Sequence, residues 1–265
     1  MKIYASDIDG TFITNNDTIT DINKDAVNKI NKTDNLFVLA TGRSVCMSKK
    51  IYKQLSNVDY LIASDGNIIV DLKNNNILYE KTISTDSLLK LDKIMKNKNL
   101  FTIIFTKDDT YYIDNLDIKH KFFSKIGIKI KSLNDIKKTV HKVSYIIKDN
   151  FEINDVKEII HNTILDSSTR IVTGTSFDSI YFDIIPKNSS KATALEFLSK
   201  MLNIEKNNLY VFGDGINDIE MFQFSKNIIA VKNAKEELKE FATSITDDNN
   251  NSGVGKWIIN NINEN

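Results

Sequence analysis

The sequence predicts an α/β protein: an open parallel sheet with helices between its strands, interrupted by a separate α+β segment. Three observations carry this expectation. Apolar runs near residues 2–7, 36–41 and 209–213 each break into a polar, glycine-bearing turn, and strand, polar loop, helix is the order from which parallel sheets are wound. Apolar residues between the first two runs recur at helical spacing. The polar turn motifs then vanish from about residue 81 to 185 and resume after Pro186, the chain's only proline.

Taken in order, residues 2–7 read as a strand, and Ile22, Ala26, Val27 and Ile30 after Thr20 as the apolar face of a helix. Strands follow at 36–41 and 60–64 with a helix through 51–55 between them. A hairpin pairs 68–70 with 77–80 across Lys73-Asn74-Asn75-Asn76. The middle segment reads as a helix at 88–95, strands at 101–106 and 111–113, a helix around 116–123, a strand at 143–147, a helix at 153–164, and strands at 169–173 and 179–185. A helical run at 191–202 and the strand from Leu209 open an alternating series to the end. Within it, Asn233 and Glu236 have the spacing of a capping box for a helix over 235–241. The expected division is 1–80, 81–185 and 186–265, the outer two forming one core.

Composition narrows the function classes. With 265 residues, 41% hydrophobic and 26% charged, the chain can bury a sizeable core. Lys plus Arg and Asp plus Glu each number 35, so net charge is zero and neither nucleic acid nor a membrane surface is implied as partner. Neither a signal-like nor a membrane-spanning run is visible, and a cytoplasmic location is expected. Cys46 has no cysteine to pair with and is expected to pack as a small apolar residue. His120, His141 and His161 match no metal-ligand spacing and read as surface or boundary residues. The basic stretch of Lys119, Lys121, Lys125, Lys129, Lys131, Lys137, Lys138, Lys142 and Lys148 reads as a solvated surface. Tyr111, Tyr112, Phe122 and Phe123 read as core packing.

The chemistry is concentrated in the turns. In Asp7-Ile8-Asp9-Gly10-Thr11 two carboxylates stand one residue apart at a strand end, and i, i+2 positions share one side of a strand. Anions that close need a cation or a shared proton between them. An Asp-Gly turn is the bland alternative for this stretch alone. Thr41-Gly42-Arg43 ends the second apolar run, Lys191 opens a helical run, and Gly213-Asp214-Gly215-Ile216-Asn217-Asp218 ends the strand from Leu209. In a parallel sheet all of these lie on one edge.

In this order the motifs Asp7-x-Asp9-Gly-Thr, Thr41-Gly-Arg, Lys191 and Gly213-Asp214-Gly-x-Asn217-Asp218-x-x-Met221 resemble the haloacid-dehalogenase superfamily of phosphatases, most closely the Cof-type branch. The resemblance runs over nearly the whole chain, including the segment from Phe12 to Thr20 and the loop leading into Gly253-Val254. It implies a Rossmann-like core with a parallel sheet between helices and an inserted α+β cap of the C2B type. It also implies a Mg²⁺-dependent phosphomonoester hydrolase acting on a small phosphorylated metabolite, a sugar phosphate or a cofactor phosphate such as flavin mononucleotide or pyridoxal phosphate.

By the same resemblance Asp7 is the nucleophile that forms an aspartyl-phosphate, and Asp9 the acid–base residue. Thr41, Gly42, Lys191 and Asn217 hold the phosphate. Asp7, Asp214 and the Asp9 carbonyl ligate the metal, and Asp218 orients Lys191 or bound water. Catalysis then lies in the core and selectivity in the cap, with a monomer or weak homodimer expected. A phosphomutase of the same superfamily and a receiver-like phosphoacceptor module are the alternatives. One departure bears on substrate contacts: Ser64-Asp65-Gly66-Asn67 stands where relatives carry Asn-Gly-Ala, placing a carboxylate where an amide is usual.

Overall fold

The computed structural model describes residues 1–96, 100–115, 127–147, 153–173 and 180–262. They fall into two compact units, one built from Met1–Arg43, Ser48–Tyr79 and Ser190–Asn265, the other from Ser44–Met47 and Glu80–Ser189.

The first unit begins with β1 (Ile3–Ser6), every residue of it buried, as a strand covered on both faces requires. Helix α1 (Asp21–Ile30) starts where the Thr20 side chain accepts the Asn23 N–H, and it buries Ala26, Val27 and Ile30. Ile22, expected on that face, is exposed instead. β2 (Leu36–Ala40), α2 (Val45–Tyr52), β3 (Tyr60–Ala63), β4 (Ile68–Asp71) and β5 (Asn76–Glu80) follow. Helix α2 lies several residues before the expected 51–55. Its hydrophobic stripe begins at Val45, and the chain has left the helix by Lys53.

The second unit comprises α3 (Thr85–Met95), β6 (Phe101–Phe105), β7 (Thr110–Asp114), β8 (Ile128–Lys129), β9 (Lys142–Ile147), α4 (Ile153–Thr163), β10 (Ser167–Thr173) and β11 (Ile180–Pro186). Its sheet runs β10-β11-β9-β6-β7-β8. The pairs are antiparallel except β7 with β8. Alternation along the strands sorts two faces. Ile104, Val143, Tyr145, Phe182 and Ile184 pack with Leu88, Leu91, Met95 and Ile160 of the helices, whereas Phe101, Ile103, Phe105 and Ile146 form a separate cluster. The helix expected around 116–123, with His120, Phe122 and Phe123, lies outside the described residues, as do Lys119, Lys121, Lys125 and Lys148.

Two expectations for this unit change and one holds. His141 is wholly buried, with Nε2 2.8 Å from Glu80 Oε1, and is not a surface or boundary residue. Lys142 is also buried, 3.5 Å from Asp183 and over the Phe105 ring. It does not belong to a solvated basic face. Tyr111 and Tyr112 are half-buried and pack in the two apolar clusters, as expected of core aromatics.

The chain returns to the first unit with α5 (Lys191–Met201), β12 (Leu209–Gly213), α6 (Ile219–Phe224), β13 (Asn227–Val231), α7 (Glu236–Lys239), β14 (Ser244–Thr246) and α8 (Gly253–Asn261). The sheet order is β14-β13-β12-β1-β2-β3-β4-β5, parallel from β14 to β3, with β4 antiparallel to β3. This is the α/β architecture expected from the sequence. Right-handed crossovers leaving β1 and β12 in opposite directions put α1 and α6 on opposite faces. The expected Asn233 capping box is absent. Lys235 is the cap residue of α7, and Asn233 instead donates to Gly10 O at 2.7 Å and accepts from Asn249 N at 3.0 Å.

Candidate active site

Four adjacent parallel strands, β12-β1-β2-β3, end on one edge of the sheet. Their carboxyl ends lead into Asp214, Asp7, Thr41 and Asp65. Connections leave β1 and β12 in opposite directions, and open α/β sheets bind ligands at such a switch point.

Asp7 continues the β1 ladder through its N–H to Phe212 O at 3.0 Å. The chain then coils through one wide turn, Ile8–Phe12, closed by Ile13 N donating to Ile8 O at 3.0 Å. Gly10 makes the turn feasible at φ 76°, and a Cβ there would collide with the Asp214 carboxylate. Thr11 Oγ1 donates to Asp214 Oδ1 at 2.7 Å, so the first and last motifs are bonded across 203 positions of sequence.

Lys191 is the first residue of α5, a helix capped by Ser190, and it is fully buried. Its Nζ donates to Asp7 Oδ1 at 2.5 Å and to Asp218 Oδ1 at 2.8 Å. The other Asp218 oxygen accepts the N–H groups of Asp214 and Gly215, both at 3.1 Å. Asp218 therefore fixes both the lysine and the turn that carries Asp214. Carboxylate oxygens of Asp7, Asp214 and Asp218 all lie within 4.8 Å of one another.

The remaining sequence-derived positions sit around this cluster. Thr41 is buried, its Oγ1 accepting the Arg43 N–H at 3.1 Å. Gly42 and Asn217 are half-buried, and Asn217 Nδ2 donates to Asp65 Oδ1 at 3.4 Å. The Asp9 side chain turns away from the three carboxylates. It takes both Nε and Nη2 of Arg43, at 2.9 and 2.5 Å, while Nη2 also donates to Asp17 Oδ1 at 2.8 Å.

Arg43 and Asp17 were not singled out as site residues by the sequence. The cation of Thr41-Gly42-Arg43 was visible, but nothing local signals a partner 34 residues upstream. Asn249 was missed for the same reason. Its side chain donates to Ile13 O at 2.9 Å and so tethers the segment after Thr11.

The electrostatics follow from burial and crowding. Burial pushes the Asp7 carboxyl well above the usual carboxylate range. Lys191 holds it down, and Asp218, Asp214 and Asp9 add to the rise. Asp214 is pushed up to about 6 by burial and by Asp218, against the hydrogen bond from Thr11. Burial alone would lower the Lys191 ammonium, but Asp218 and Asp7 more than reverse this and keep it charged. Three carboxylates face one ammonium, which leaves a surplus of negative charge. Compact oxygen donors carrying that surplus fit a hard divalent cation. Asp7 and Asp214 are the side chains suited to hold it, since both Asp218 oxygens already accept hydrogen bonds.

The family model for haloacid dehalogenase-like hydrolases matches residues 4–258. A Bacillus subtilis 5-amino-6-(5-phospho-D-ribitylamino)uracil phosphatase is 25% identical over 97% of each chain. Among solved structures, a haloacid dehalogenase-like hydrolase from Bacteroides thetaiotaomicron superposes with TM-score 0.85 at 21% identity, covering 98% of this chain and 99% of its own. A subclass IIB sugar phosphatase of the same superfamily gives 0.78 at 17% identity, with 98% of each chain covered. The chain belongs to the haloacid dehalogenase-like hydrolases, in their Cof-type phosphatase branch.

Proposed function

We propose that this protein is a magnesium-dependent phosphomonoesterase for a small phosphorylated metabolite, working through an aspartyl-phosphate on Asp7. The observation that carries the reading is the Lys191 ammonium bonded at once to Asp7 and Asp218, with Asp214 alongside. Phosphoryl transfer asks a protein chiefly for position and charge stabilisation, and this cluster offers both. A divalent cation held by Asp7 and Asp214 supplies further neutralisation of phosphate charge.

An Asp7 carboxylate oxygen attacks phosphorus in line, and the bond from phosphorus to the ester oxygen breaks. Asp9 gives its proton to the leaving oxygen, which requires its carboxyl to exchange Arg43 for the substrate. Water then attacks phosphorus and loses its proton to Asp9, the bond to Asp7 breaks, and inorganic phosphate leaves. Lys191, Thr41 and the backbone at Gly42 hold the phosphoryl oxygens, and Asn217 lends its amide.

The second unit, inserted between β5 and α5 with its helices packed on one sheet face, fits the role of a C2B-type cap that selects the leaving group. Similar proteins named for a ribitylaminouracil phosphate and for sugar phosphates support sugar and cofactor phosphates as the substrate class. No helix among the described residues is long and apolar enough to cross a membrane, and a cytoplasmic monomer or weak homodimer is the accompanying proposal.

Purified protein incubated with p-nitrophenyl phosphate and Mg²⁺ tests the reading. Turnover is expected, with Asp7→Asn or added EDTA lowering it at least about 10³-fold, the scale of removing a nucleophile or its charge partner. A stable single phosphorylation without turnover would point to the phosphoacceptor alternative. A panel of sugar phosphates, flavin mononucleotide, pyridoxal phosphate and the phosphoribitylaminouracil then ranks substrates by kcat/KM.

A further inference from the structure

Asp65 occupies a position the reaction scheme leaves unused. Ser64, Asp65 and Gly66 run through three successive left-handed residues, with φ of 50°, 58° and 94°. This is a costly conformation that persists only where surrounding contacts determine it. Those contacts belong to the phosphate side of the site. Ser64 N donates to Arg43 O at 2.8 Å and Asp65 N to Thr41 O at 3.0 Å, so the loop is joined to the Thr41-Gly42-Arg43 turn. A Cβ on Gly42 would lie 3.1 and 3.2 Å from the two Asp65 carboxylate oxygens, and a Cβ on Gly66 would strike the Ser190 carbonyl just before Lys191. The Asp65 carboxylate is buried and accepts from Asn217 Nδ2 at 3.4 Å. Its charge also acts on the Lys191 ammonium.

Gly42, Asn217 and Lys191, which lie around or act on this carboxylate, are groups assigned above to holding phosphate. An amide could make the same contact with Asn217 without a negative charge. We propose that Asp65 sets the anion affinity of the pocket: its carboxylate weakens the hold on the phosphate dianion and so shortens the residence of product phosphate. The inference rests on the phosphatase reading for the identity of the anion. Asp65 touches no reacting atom in this scheme. It is a positioning residue that acts through Lys191, Asn217 and the Gly42 turn.

The test is calorimetric titration of inorganic phosphate, with Mg²⁺ present, into the parent protein, Asp65→Asn and Asp65→Gly. Both replacements tolerate the left-handed backbone, which guards against misfolding. Removing one charge near an anion in a partly screened site is expected to tighten phosphate binding about three- to tenfold, with a matching fall in the inhibition constant for phosphate. A residue that merely shaped the loop would, when replaced, loosen the pocket, so the sign separates the two roles. Equal or weaker binding by both variants overturns the proposal, as does absence of phosphate binding in all three proteins. Parent protein that binds phosphate but turns over no p-nitrophenyl phosphate would defeat the hydrolase reading, while the comparison of affinities still decides Asp65.

Discussion

Lys191 is wholly buried and bonded to carboxylates from two different motifs, 184 residues upstream and 27 downstream. Removing one partner of such a group leaves the others desolvated and uncompensated, at a cost of about 3–5 kcal/mol. Lys191→Met, which keeps length without charge, is therefore expected to lower unfolding stability by about that amount in urea titration, besides abolishing turnover. An unchanged urea midpoint would contradict the buried network. At this scale the sequence was most legible where a motif is local. Asp7, Asp214, Asp218 and Lys191 meet as their positions at strand ends and a helix start suggested. Residues that gain their partners only through tertiary folding were opaque. Arg43 reaches Asp9 and Asp17, Asp65 reaches Asn217, and Asn233 leaves its expected cap for Gly10, with no local pattern to announce any of them.

The helix that begins with Lys191 depends on its cap. Ser190 Oγ accepts the Thr193 N–H at 3.2 Å, and Thr193 Oγ1 accepts the Ser190 N–H at 3.0 Å. Ser190→Ala is expected to cost about 1 kcal/mol in denaturant unfolding, whereas Ser190→Asp, still able to cap, should cost less. Turnover should fall with the alanine variant, since the first turn of α5 aims Lys191. Equal stabilities for the two variants would show the cap to be idle. Elements of this unit were readable because buried parallel strands appear as unbroken apolar runs, and most boundaries moved by only one or two residues. Helix α2 was displaced further. Ser44 Oγ accepts the Met47 N–H at 3.2 Å and so caps its start, but with Ser48 also in this half-apolar stretch the serine alone did not mark where the helix begins. The short strands β8 and β14, of two and three residues, carry too little pattern to be seen in advance.

The molecule as a whole combines one unit built from separated chain segments with another made mainly from one continuous stretch. Their stabilities answer to different variables. In the second unit burial lowers the His141 pKa below its usual value, against the pull of Glu80. The unfolded chain therefore takes up a proton near pH 6.5 before the folded one does, and stability falls as pH drops from about 6.5 toward the lowered folded value. Thermal melting between pH 7.5 and 5.5 should show this loss, and His141→Gln should flatten it; identical pH slopes for parent and variant would remove the cause. The sequence suggested a division from the gap in the motifs between about 81 and 185, and the described units part at Tyr79 and Ser190, with Ser44–Met47 grouped with the second. The burial of His141 and Lys142 was not, because a lone histidine or lysine gives no sign in sequence of whether a partner waits inside.

The pairing of β1 with β2 on one side and β12 on the other has a consequence for biosynthesis. About 170 residues separate the end of β2 from the start of β12, and a ribosome adding 5–20 residues per second needs roughly 10–30 s to make them. Throughout that interval the nascent chain presents an apolar strand with one edge open, a template for wrong pairing. The intervening stretch can meanwhile close its own sheet from its own strands. Translation thus sets the order of assembly, and the amino-terminal aspartates must wait for the last third of the polypeptide before their lysine arrives.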